Sequence, residues 1–176
     1  TEFGRAQWDP MVAVNLTAAF EMAHESAKHM IAQGSGKIIN IASLFAFLGG
    51  LGSPAYAATK HGIAGFTKAY ADELGAHGIQ VNAIAPGYFA TRITEETRSD
   101  PERNRRILDH TPAGRWGDIA DLMGATVFLA RPDNPTLPVA IFRFLGRPGE
   151  LNLAQAYALA VVLMAVAATW IATLLA

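Results

Sequence analysis

Tyr56 and Lys60 stand four residues apart and carry the first chemistry legible in this sequence. On a helix, positions i and i+4 project from one face a turn apart, which brings an ammonium within a few ångströms of a phenol. That pairing favours phenolate. At an intermediate effective dielectric it is worth roughly 4 kcal/mol, enough to bring a pKa of about 10 down by a few units. A tyrosine so tuned exchanges a proton with an alcohol or carbonyl near neutral pH.

The elements that must position this pair follow from the flanking residues. Lys37 to Ala42 is a short apolar run rich in isoleucine, stopped by Ser43 and soon by Gly49, Gly50 and Gly52. It predicts a strand buried on both faces of a parallel sheet, with Ser43 at its carboxyl end. Ser53-Pro54 predicts a helix start, with serine capping free N–H groups and proline preorganised for the first helical position. That helix carries Tyr56 and Lys60 and ends near Gly75 and Gly78. Ile79 to Ala85 then reads as a second buried strand, completing a parallel crossover. The chain leaves it through Pro86-Gly87-Tyr88-Phe89-Ala90-Thr91. Ligands of open α/β sheets bind beyond the carboxyl ends of the strands, so Ser43 and this loop should face one crevice.

Upstream, Asp9-Pro10 predicts a helix start, and the partly apolar segment to about Gln33 predicts a long helix beside the first strand, ended by Gly34 and Gly36. Asn15 lies within it. An asparagine in an apolar helical stretch is disfavoured unless its amide finds partners, so it is either a hydrogen-bonded structural residue or a site residue. Arg92 to His110 is polar and charge-rich, and reads as a solvated helix face or as a lid over the site. Were the substrate a sugar acid, Arg103, Arg105 and Arg106 are where its carboxylate partner is expected. A further helix is expected to begin near Asp118.

A length of 176 residues allows a domain with a real core, and the net charge of −1 gives no reason to expect nucleic acid. The partner expected is a small molecule. With no cysteine there is no disulfide or thiolate metal site, and His24 and His29, five apart, share no helical face. No metal site is expected, and the composition fits a reducing, cytoplasmic setting. The N-terminus has no signal peptide and no initiator methionine, which suggests that Thr1 is not a natural start.

Strand, serine, glycine-rich loop and a helix bearing Y-x-x-x-K, with serine and tyrosine 13 residues apart, resemble the active-site segment of the short-chain dehydrogenase/reductase family. The resemblance implies an α/β fold, here a partial Rossmann-like parallel sheet with flanking helices, and hydride transfer between NAD or NADP and a secondary alcohol. It implies Tyr56 as acid/base, Lys60 as the residue that lowers the tyrosine's pKa and holds the nicotinamide ribose, and Ser43 as hydrogen-bond partner of the reacting oxygen. Asn15, in W-D-P-M-V-A-V-N-L, matches the asparagine that anchors a water beside the lysine. The P-G-x-x-x-T pattern resembles the nicotinamide loop, so that Pro86, Gly87, Phe89 and Thr91 join Tyr56 and Lys60 as cofactor-binding residues. A-I-A-P-G-Y-F-A-T with T-P-A-G-R-W-G looks most like the branch containing gluconate 5-dehydrogenases and 2-deoxy-gluconate 3-dehydrogenases. The family also implies a homo-oligomer.

The resemblance covers residues 1–130, read as a partial dehydrogenase domain lacking the N-terminal glycine-rich half and the last strand. Residues 131–150 read as a proline-punctuated linker. Residues 151–176 hold no charge and predict a C-terminal hydrophobic helix of roughly 39 Å, enough for a hydrocarbon core of about 30 Å. Tyr157 and Trp170 would be interfacial residues, and Arg143 and Arg147 would keep the preceding side cytoplasmic. The tail resembles a piece of a permease, so membrane association through 151–176 is expected. Because the upstream cofactor fingerprint G-x-x-x-G-x-G does not occur, competence of the chain alone is in question. The alternatives are a non-catalytic fragment and a membrane-transport component.

Overall fold

The two apolar runs form the expected strands. β1, Gly36–Ile41, and β2, Ile79–Ile84, pair in parallel with Gly36 opposite Ile79 and Ile41 opposite Ile84. The computed structural model describes residues 3–50 and 52–131, which belong to one compact unit, Thr1–Thr136. The expected linker, apart from Arg131, and the expected hydrophobic helix over 151–176 lie outside the described residues. Among those described, no helix is long and apolar enough to cross a membrane.

α3, Pro54–Leu74, connects the strands and packs on both of them, and the preceding helical segment packs beside it. Between these layers lies a core of Ala23, Ala27, Ile38, Leu74, Ile79 and Val81. Ile63 and Ile79 are each 1% exposed, and burial of such a side chain contributes about 1.5–3 kcal/mol. Asn40, also buried, is satisfied from α3: its Nδ2 donates to Thr67 Oγ1 at 2.9 Å, and that hydroxyl donates to the Ile63 carbonyl at 2.7 Å. The expectation of burial on both faces of β1 is corrected. Ile38 and Asn40 are buried on the helix side, but Ile41 is 56% exposed, because β1 has only β2 as a neighbour among the described residues.

The N-terminal helix differs from its expected form in two ways. α1, Arg5–Val12, begins four residues before Asp9, because Gly4 is extended and its N–H donates to Gln7 Oε1 at 3.0 Å. Asp9 caps nothing there. It pairs instead with Arg5 one turn back at 2.9 Å, and Pro10 lies inside a helix that buries no residue. The second difference is a wide turn at Ala13–Thr17, closed by a hydrogen bond from Ala18 N to the Ala13 carbonyl five residues earlier. α2, Ala18–Gln33, then continues to Gly34, which takes the left-handed conformation at φ 74°.

α3 starts at Pro54 as expected, yet Ser53 makes no capping bond with its side chain. Beyond it a tight turn, Gly75–His77, leads to Gly78, which must be glycine on two counts. Its φ is +73°, and a Cβ there would lie 2.5 Å from the Gly34 carbonyl oxygen. Gly78→Ala is therefore expected to destabilise the unit by at least ~1–3 kcal/mol, read as a lowered denaturant midpoint with an unchanged slope.

After β2 the chain makes a tight turn, Arg92–Thr94, followed by α4, Glu95–Ser99, and α5, Pro101–Asp109. Asp100 caps α5 by accepting from the N–H groups of Glu102 and Arg103, each at 3.0 Å. Asp118 caps the turn Ile119–Leu122, which enters α6, Met123–Ala130, against the two strands.

Candidate active site

The site grows from the carboxyl ends of both strands. Pairing continues past them: Ala42 N donates to the Ile84 carbonyl at 2.8 Å and Leu44 N to the Pro86 carbonyl at 2.9 Å. Ser43, between these two bonds, is thereby fixed beside the Pro86–Gly87 turn, as expected for a shared crevice. It is 6% exposed and extended, and its Oγ accepts from Phe45 N at 3.2 Å. The turn Leu44–Ala46 that follows carries the Phe45 ring edge-on to Tyr56, with centroids 5.8 Å apart.

Tyr56 and Lys60 share one side of α3, but their relation is less direct than the spacing suggests. The Lys60 ammonium lies 5.6 Å from the centroid of the Tyr56 ring, within cation–π range. Its hydrogen bond goes elsewhere, to the Ile41 carbonyl at 2.8 Å. The ammonium expected within a few ångströms of the phenol thus lies toward its ring, with the side chain spanning to the end of β1. Lys60 is 8% exposed, and that burial lowers its pKa from the usual lysine range.

Asn15 sits in the wide turn at Ala13–Thr17, where its Nδ2 donates to Met11 Sδ at 2.7 Å. It lines a cleft of about 400 Å³ between α2 and β1 together with Ile41 and Lys60. Tyr56 and Ser43 do not line it. The structure therefore joins Asn15 to the lysine side of the site, and Ser43 and Tyr56 to each other through Phe45. Single-turn widenings of this kind recur at functional sites. Nothing in the apolar periodicity marks this one.

The loop after β2 is held from two sides. From downstream, Gly117 bridges to Phe89: Ala90 N donates to the Gly117 carbonyl at 2.9 Å, and Gly117 N to the Tyr88 carbonyl at 2.8 Å. A Cβ at Gly117 would come within 2.8 Å of the Phe89 ring. Trp116 meets Tyr88 edge-to-face at 5.8 Å and donates Nε1–H to Asn104 Oδ1 at 2.6 Å. A bidentate pair from Arg115 to Asp121, at 2.8 and 3.1 Å, secures the root of this brace. The Arg115 hydrogen bonds, and then the Asp118 N–H, hold the Asp121 carboxyl down at about 2. From the other side, Thr94 at the end of the turn Arg92–Thr94 and Arg98 on α4 bond the backbone of Phe89 and Thr91.

Sequence reasoning missed Trp116, Gly117, Thr94 and Arg98. The only signal was the glycine after the tryptophan in G-R-W-G, a position where close approach excludes a side chain. It also looked to Arg103, Arg105 and Arg106 for a carboxylate partner. Arg103 is instead turned to Glu96 and Asp100, at 3.7 and 3.6 Å.

These placements invite comparison with known proteins. Residues 1–102 match the short chain dehydrogenase family. An uncharacterised oxidoreductase of Escherichia coli K12 is 71% identical over 131 residues, covering 74% of this chain and 50% of that protein. A 2-dehydro-3-deoxy-D-gluconate 5-dehydrogenase of the same organism is 52% identical over 130 residues, covering 73% and 51%. The crystal structure of a gluconate 5-dehydrogenase from Burkholderia cenocepacia J2315, in complex with NADP and tartrate, superposes with a TM-score of 0.73 at 40% identity, covering 74% and 51%. The chain spans about half the length of the curated relatives it matches. With the match over residues 1–102 taking in Ser43, Tyr56, Lys60 and the loop to Thr91, and with the Rossmann-like α/β arrangement shared at that level of identity, the chain belongs to the short chain dehydrogenase family.

Proposed function

We propose that the chain carries the proton-handling part of a nicotinamide-dependent sugar-acid dehydrogenase that interconverts a secondary alcohol and its ketone. The observation that carries this reading is Lys60. A buried ammonium, bonded to a backbone carbonyl and set against the Tyr56 ring at the carboxyl end of β1, is costly to keep unless its charge has a use. No carboxylate neutralises it among the ion pairs of the described residues.

Tyr56 is the group that gives or takes the proton of the reacting oxygen. Lys60 keeps positive charge beside the tyrosine ring, and Ser43 offers that oxygen a hydroxyl. Asn15 lies on the lysine side of the site, where a water between the two would lead a proton to the cleft. These residues fit a nicotinamide cofactor: Lys60 has ammonium donors beyond the one spent on Ile41, and the strand ends present an ordered loop. Pro86, Gly87, Phe89 and Thr91, with Tyr56 and Lys60, would hold its nicotinamide end. When bound, the cofactor accepts or donates the hydride.

The substrate class and NADP rest on the relatives: dehydrogenases named for gluconate or its 2-dehydro-3-deoxy derivative, and a neighbour crystallised with NADP and tartrate. The test is turnover followed by nicotinamide absorbance, with keto-sugar acids and NADPH in one direction and sugar acids and NADP in the other. The chain is expected to turn over acids in preference to the uncharged sugars of the same carbon skeleton. Equal turnover of both removes the sugar-acid assignment, and NADPH titration with no fluorescence change removes the dehydrogenase reading.

A further inference from the structure

Arg98 differs from the other arginines of the Arg92–His110 excursion in where its charge goes. It reaches from α4 back over the loop that leaves β2, and its Nη2 donates to the Thr91 carbonyl at 3.1 Å. Its Nε–H is buried and has no acceptor among the described residues. Among the described residues no carboxylate is paired with it, whereas Arg103 on α5 takes both Glu96 and Asp100. Beside it the Thr94 hydroxyl accepts the Thr91 N–H at 3.0 Å and lies 2.7 Å from the Phe89 carbonyl and 3.0 Å from that of Thr91. A hydroxyl has one proton to share between those two carbonyls. The Thr91 carbonyl also accepts the Thr94 N–H at 3.2 Å, and the guanidinium adds a charged donor to it.

Two side chains from the start of the excursion thus hold three backbone groups of Phe89 and Thr91. On the far side, Tyr88 and Ala90 are tied to Gly117. A loop braced on both sides needs little ordering when a ligand arrives, and that ordering entropy otherwise weakens binding. A charged donor is the stronger means of fixing a carbonyl, and a planar fork fixes its direction as well.

We propose that Arg98, with Thr94, is a positioning pair that sets the Phe89–Thr91 backbone in the form that receives the nicotinamide end of the cofactor. The cofactor half of this inference rests on the proposed function; the clamp itself rests on the geometry alone. Arg98 meets backbone rather than reacting atoms, so its effect falls on cofactor affinity and on the KM for cofactor, with kcat little changed.

The test combines backbone amide hydrogen exchange with fluorescence titration by NADPH, on the whole chain and on its Arg98→Met, Arg98→Lys and Thr94→Val variants. Arg98→Met is expected to speed exchange at Thr91 and weaken NADPH binding, each on the order of tenfold, with α3 amides as protected as before. Arg98→Lys, which keeps the charge without the fork, should recover part of both. Thr94→Val, which keeps the shape and loses the hydroxyl, should move both in the direction of Arg98→Met. Unchanged Thr91 exchange in Arg98→Met overturns the clamp. Faster exchange with NADPH bound as tightly as by the wild type overturns its link to the cofactor. A wild-type chain that binds no NADPH removes that link together with the proposed function, and the exchange data then judge the clamp by themselves.

Discussion

Replacing Tyr56 with phenylalanine is expected to lower turnover by about 10²–10⁴-fold, the usual contribution of a positioned acid/base, and to leave the fold nearly untouched. The phenol oxygen takes no part in the hydrogen bonds of the described residues, while the ring meets Phe45 edge-on and carries the Lys60 ammonium over its face. Both ring contacts survive in phenylalanine. The change in stability should therefore stay below about 1 kcal/mol, and NADPH affinity should be close to that of the wild type. Turnover with unfolding measured on the same preparation checks this. A Tyr56→Phe protein that keeps its rate takes the proton-transfer role away from this residue.

Lys60→Met is expected to damage both function and fold. Activity should fall by a factor comparable to that for Tyr56→Phe, because the charge beside the ring is gone. Stability should fall by about 1–3 kcal/mol as well, since the Ile41 carbonyl loses its donor near the protein interior. The pH dependence separates the two effects. Burial lowers the pKa of Lys60 in the folded chain, so between that depressed value and the ordinary lysine value of about 10.4 the unfolded chain binds the extra proton. Stability then rises with pH across this window and is level below it, where the lysine is charged in both states. The Lys60 share of this slope should vanish in Lys60→Met, as seen in denaturant midpoints measured over alkaline pH. Activity should decline over the same window as the ammonium is lost. A slope identical in the wild type and Lys60→Met would assign the titration to another group.

How much of this was legible beforehand depended on how local each cause is. The strands were plain because a short isoleucine- or valine-rich run bounded by polar and glycine residues has few other fates, and Pro54 marked the start of α3. The position of Ser43 followed from these. The helix start at Arg5 was missed because a bond between Gly4 and Gln7 leaves a weaker mark than Asp9-Pro10. The wide turn at Ala13–Thr17 was missed because one altered turn hardly disturbs a periodicity read from Asp9 to Gln33. Lys60 was found, but not its destination. Its acceptor is a carbonyl on another element, and main-chain atoms carry no letter in a sequence. The brace from Trp116 and Gly117 to Tyr88 and Phe89 joins segments more than two dozen residues apart, beyond any window of local pattern. The exposure of Ile41 likewise depended on how many strands flank β1 rather than on β1 itself.

The bond from Lys60 to the carbonyl of Ile41 bears on how such a site can evolve. Because the anchor is a peptide oxygen, its place depends on the path of β1 and not on which amino acid occupies position 41. That side chain, more than half exposed, is left to drift through point substitutions without displacing the ammonium. A single-residue insertion or deletion within β1 would be far less tolerable, since it would bring a different peptide under the lysine and displace the proposed acid–base group at once.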